Sequence, residues 1–132
     1  MTTTKRFAVS LCLIAGLSFG TSANQGTSAL SRIMKAKLAN SQAILGAVVT
    51  SNWAVLDRES RALAMVVRDP VWTVALTEPE YLRQSDAFSR ALQDLIEASS
   101  KRDLESAANA QIALTASCVR CHVHMTRRRV AN

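Results

Sequence analysis

Cys118-Val119-Arg120-Cys121-His122 is the cluster in this chain whose residue types and spacing point to a specific chemistry. Two thiols three positions apart, with a histidine directly after the second, are the pattern by which a polypeptide binds haem through two thioether bonds and supplies an imidazole to its iron. On a helix, Cys118 and His122 are four residues apart and Cys121 is three from Cys118, so all three share one face. The expected site is therefore Cys118 and Cys121 as covalent attachment points for one haem c, with His122 as the proximal axial ligand.

Other chemistries use a CxxC pair. A zinc site needs about four ligands, and apart from Cys12 the chain offers only Cys118, Cys121, His122 and His124. His124 lies two positions past His122, roughly on the opposite side of a helix, so closing a tetrahedron would require unwinding. A thioredoxin-like pair belongs at a helix N-terminus after a strand, whereas these cysteines fall late in a helical stretch. Cys12 itself sits in the apolar run of an expected signal peptide, residues 1–23: Lys5 and Arg6 form its charged start, Phe7 to Phe19 its apolar stretch, and Thr21-Ser22-Ala23 its cleavage site. The run is too short for a comfortable membrane span, so release without a membrane anchor is expected. An exported chain with two spare thiols would ordinarily form a disulfide; thioether bonds would consume both.

The elements that must position the motif are helical. Residues 24–132, about 109 of them, suffice for a single domain with one core. With Lys5 and Arg6 removed, the formal charge falls from +6 to about +4, a modest excess with no aromatic interleaving or motif for nucleic acid. Glycine and proline are scarce, alanine and leucine abundant, and no segment alternates with period two. The spacing predicts four helices. The first runs from about Thr27 to Val49, with Leu30, Met34, Leu38, Leu45 and Val48 inward; Thr50-Ser51-Asn52 then turns and caps a second, from about Trp53 to Arg68. Asp69-Pro70 stops it, Val71 to Leu76 forms a packed connection, and Thr77-Glu78-Pro79-Glu80 opens the third as a capping box with an early proline. Tyr81, Ser85, Phe88, Leu92, Leu95 and Ser99 form the stripe of that helix, widened by Leu82 and Ile96. Ser100-Lys101-Arg102-Asp103 caps a fourth, which carries Leu104, Ala108, Gln111 or Ile112, Thr115 and the haem motif. Short connections favour antiparallel neighbours, so the expected fold is all-α: an antiparallel up-down four-helix bundle with covalently bound haem c.

An exported four-helix chain with one haem motif in its last helix resembles the cytochrome c′ group, including its low-spin relatives with a methionine sixth ligand. The similarity is architectural over residues 24–132, and only Cys118, Cys121 and His122 match a sharp motif. Many members of the group place a basic residue four positions after the haem histidine; this chain has Thr126 there and Arg127 next to it. The resemblance implies haem attachment outside the cytoplasmic membrane, hence a periplasmic location, and homodimers through the first two helices are common in the group.

Antiparallel topology also places the sixth iron position. His122 lies about seven residues from the end of the last helix, roughly 10 Å at about 1.5 Å per residue, and Met34 lies at similar depth in the first. Met34 is therefore the candidate sixth ligand, and Met34-Lys35 resembles the methionine-lysine step in the first helix of the low-spin relatives. Met65 is a second candidate by depth; Met125 shares a helix with His122 and cannot cross the macrocycle. His124 reads as a surface histidine and Trp53 as a core anchor. Leu30, Leu38, Tyr81 and Leu82 are expected to line the pocket, with Trp72 covering an edge. The run Arg127-Arg128-Arg129 suits the negative end of a helix dipole, or docking to an acidic partner. Two functions fit: a periplasmic carrier of single electrons between redox partner proteins, or a five-coordinate protein binding nitric oxide (NO) or carbon monoxide (CO). No distal histidine–arginine pair for cleaving peroxide is present, so the reading is not an enzyme.

Overall fold

The computed structural model describes the backbone of residues 22–74 and 78–131, and the side chains of 29–72 and 78–127. The expected signal peptide lies outside these residues except for Ser22 and Ala23, which open the first helix. Five helices follow one another: α1 (Ser22–Val49), α2 (Trp53–Val66), α3 (Pro70–Val74), α4 (Pro79–Lys101) and α5 (Leu104–Ala131). Among the described residues there is no strand, and no helix is long and apolar enough to cross a membrane.

Local chemistry sets most of the boundaries. Ser51 adopts φ 52° to turn the chain after α1, and Asn52 Oδ1 accepts from the Val55 amide at 3.2 Å to cap α2. Asp69 Oδ1 accepts from the Val71 amide at 2.8 Å, so the segment after α2 coils into one helical turn, α3, where an irregular connection was expected. The N-cap of α4 is Glu78 in an extended conformation, and its side chain makes no capping bond. The capping box expected of Thr77 and Glu80 lies outside the described residues, because Thr77 does. Arg102 closes α4 at φ 54°, and Asp103 caps α5 by accepting from the Ser106 amide at 3.1 Å and hydroxyl at 2.6 Å.

The four long helices form a ring of neighbours, α1 against α2, α2 against α4, α4 against α5 and α5 against α1, with α3 resting on α1. The seam between α5 and α1 is the loosest of the ring. The amphipathic stripe of α4 is buried as its spacing predicts, with Tyr81, Phe88, Leu92, Leu95 and Ser99 inside; Leu82 is exposed instead of inward. On α1 the buried residues are Ile33, Ile44, Ala47 and Val48, while Leu38 and Leu45 stand 59% and 50% exposed. Both leucines read as inward from their hydrophobicity, but a step of one residue turns a helix by about 100°, and the α2 contact selects the neighbouring stripe.

The buried apolar residues divide into two clusters. The larger joins Ile44, Leu56, Leu63, Phe88, Leu92, Leu95 and Leu114, with Trp53 and Cys118 packed at its margin. The smaller joins Ile33, Trp72 and Tyr81, with Leu30, Met34 and Cys121 at its margin; the Trp72 and Tyr81 rings meet at 5.2 Å, tilted by 54°.

Candidate functional site

A cavity of about 510 Å³ opens along the loose seam between α1 and α5. Helical periodicity makes its two principal walls. α1 presents Ser31, Met34, Lys35, Leu38, Ser41, Gln42 and Leu45, residues recurring every three or four positions, and α5 presents Gln111, Leu114, Thr115, Cys118, Cys121 and His122 in the same rhythm. Trp72 from α3 and Gln84, Ser85 and Phe88 from α4 complete the lining. The structure thus brings Met34, Cys118, Cys121 and His122 to one cavity. Phe88, Leu114 and Cys118 belong to or border the larger cluster, Met34, Trp72 and Cys121 the smaller, so the cavity is bordered by both.

Not every expected lining residue is there. Leu38 and Trp72 line the cavity; Tyr81 lies buried behind Trp72, and Leu82 faces outward. Met65, 63% exposed on α2, is not on its wall. His122 is exposed, and with Cys118 it also lines a shallower groove shared by Val119, Val123, Thr126 and Arg127. Arg127 is exposed there, while the side chains of Arg128 and Arg129 lie outside the described residues.

The two thiols are free and half-buried. Burial pushes the Cys121 thiol up, opposed by the Lys37 cation and reinforced by Cys118. Both cysteines lie late in α5, away from the helix N-terminus where a redox-active thiolate is stabilised. Among the described residues, no three His, Cys, Asp or Glu side chains gather closely enough to hold a metal ion on their own. Haem iron needs no such cluster, because its four equatorial ligands come from the macrocycle.

Two interactions brace the motif and were not anticipated from sequence. Arg120 Nε donates to Gln84 Oε1 at 3.1 Å, and Gln84 Nε2 donates to Glu80 Oε1 at 2.7 Å, a polar strap tying the motif to the first turns of α4. His124 Nε2 stands 3.0 Å from Glu78 Oε2, so this histidine fastens α5 to the entry of α4 instead of standing free. An acidic residue facing a histidine 46 positions away leaves no local trace in sequence.

Lys37 was also missed. Its Nζ lies 3.8 Å from the Trp72 ring centre and 3.9 Å from that of Phe88, and it too lines the cavity. Burial lowers its amine to about 8, with the Cys118 and Cys121 thiols opposing the shift. Tyr81 is raised, mainly by burial.

A scan against protein-family models and searches of curated proteins and of solved structures found no match to this chain. The site must therefore be judged on its own chemistry. Its volume falls within the roughly 300–1,000 Å³ typical of cofactor sites, and its walls are predominantly apolar with a few polar atoms. Two of the lining residues carry buried polar atoms that lack a hydrogen-bond partner, Ser85 Oγ and Gln111 Oε1. A large, flat, mainly apolar group with polar edges, held by two thiols and an imidazole, fits these residues.

Proposed function

We propose that this chain is an exported four-helix cytochrome of up-down antiparallel topology that carries single electrons through one covalently attached haem c. The observation that carries the reading is the opposed pair of stripes: Cys118, Cys121 and His122 on α5 and Met34 on α1 line one apolar cavity between the two halves of the core. Bound haem would supply a ferric/ferrous couple.

The chain's own residues do the rest. Cys118 and Cys121, three apart on one helical face, set the edge by which the group is held and prevent its loss. His122 offers an imidazole from the same helix, and Met34 offers a thioether from the opposite wall; that pairing raises a haem's reduction potential. Phe88, Leu114 and Trp72 exclude water from the interior side, which lowers the solvent reorganisation accompanying electron transfer. The Arg120–Gln84–Glu80 strap holds the motif's face of α5 in register with α4. The expected export segment and covalent haem attachment together support a periplasmic site of action, with redox proteins as partners of an electron carrier.

The test is an absorption spectrum of the purified ferric and ferrous protein, with and without CO, on chains whose mass has been measured. A mass increase of one haem that survives acid-acetone extraction, with a low-spin spectrum and slow CO uptake, is expected. Haem-free chains carrying two titratable thiols, from cells competent in cytochrome c maturation, would overturn the reading. Attached haem that is high-spin and takes up CO readily would replace the electron carrier with a protein that binds NO or CO.

A further inference from the structure

The cavity wall carries one donor group that an electron carrier with histidine–methionine ligation does not use. Lys37 follows Met34 on α1 by three residues, so the two side chains are neighbours on the helix surface. Both line the same cavity. The Lys37 Nζ rests against the faces of Trp72 and Phe88, at 3.8 and 3.9 Å from their centres, and among the described residues no carboxylate lies within ion-pair distance of it. Lys35, also on the wall, is exposed and hydrated, which makes it a natural control.

An amine held among aromatic rings loses much of its hydration, which destabilises its charged form. Burial lowers the Lys37 amine from its usual range, which favours the neutral form with a free lone pair. Ferric iron is a harder acid than ferrous iron, and an amine nitrogen is a harder donor than a thioether sulfur. The four-carbon stem of lysine lets Nζ leave the aromatic rings by side-chain rotation without movement of α1. Resting on the reading of the cavity as a covalent haem site, we propose that Lys37 is a second axial donor, taking the sixth position of ferric iron whenever the Met34 thioether is not bound. The ammonium passes one proton to water, the nitrogen lone pair forms the Fe–N bond, and no electron is transferred.

The experiment uses full-length, matured Met34→Leu protein, with mass measured first and the ferric state examined by electron paramagnetic resonance and near-infrared absorption. The expected result is low-spin ferric haem with a nitrogen sixth ligand, converted to high-spin by adding Lys37→Leu and unchanged by adding Lys35→Leu. If Met34→Leu does not accumulate, Met34→Ala is read by the same criteria. High-spin haem in the single Met34 variant overturns the role of Lys37 and leaves the cytochrome reading standing. So does low-spin haem that persists after Lys37→Leu. A chain that carries no haem overturns both.

Discussion

His122 and His124 are two positions apart on one helix and do different work. The first lines the cavity beside both cysteines, and the second binds Glu78 at 3.0 Å at the start of α4. His122→Ala is expected to yield little matured protein, because the proposed iron anchor is lost. His124→Ala removes a partly exposed pair and should cost at most about 1 kcal/mol while leaving the haem spectrum unchanged. Comparing the spectra and urea midpoints of the two variants checks this, and equal spectral effects would mean the ligand has been misplaced. Met65 is exposed, so Met65→Ala should shift stability by no more than about 0.5 kcal/mol and leave the spin state alone. Lys37 supplies a pH test. Its folded pKa, about 8, lies below the unfolded value near 10.5, so between these values the unfolded chain binds more protons and stability rises with pH. Below about pH 8 both states are protonated and the destabilisation is fully present. In the haem-free chain the rise should show between about pH 8 and 9; above that, Cys121 and Tyr81, whose folded pKa values are raised, pull stability down. Urea midpoints measured across this window should rise in the native sequence and stay flat in Lys37→Met.

The helix ends show where element-scale energies are spent. Asn52 caps α2 with a 3.2 Å bond to the Val55 amide, and replacing it by alanine should cost about 1 kcal/mol. Arg102 closes α4 in the left-handed region at φ 54°, where a Cβ crowds the backbone and glycine is the usual residue. Arg102→Gly is therefore expected to stabilise the protein by about 0.5–1 kcal/mol, relief of the left-handed strain outweighing the added freedom of the unfolded chain. Urea denaturation of each variant measures both effects, and a destabilised Arg102→Gly would show that the αL strain is not the dominant contribution. The caps at Asn52 and Asp103 were legible in the sequence because Asx side chains act within three residues. The pairing at the entry to α4 was not: Glu78 meets His124, 46 positions away, and no local pattern records that contact.

At the scale of the whole molecule, the interior is two apolar clusters with a cavity between them, bordered by Cys118 on one side and Cys121 on the other. A cofactor seated there would join the clusters into one core. Cys118→Ser/Cys121→Ser chains, which cannot hold haem covalently, should unfold at lower urea than the matured protein and bind a dye specific for exposed apolar surface more strongly; equal midpoints would argue against a structural role for the bound group. The sequence by itself determined that the chain is helical, where its main breaks fall, and that Cys118, Cys121 and His122 share one face, because propensity, capping and three-to-four-residue spacing are local properties. The depth of Met34 followed from counting residues along two long helices. Only the tertiary structure decided which stripe of α1 is buried, since Leu38 and Ile33 are equally apolar and their fates turn on how the helix is rotated against α2. It likewise decided that Lys37 sits against Trp72 and Phe88, because those three residues come from three different helices and no local pattern records their meeting.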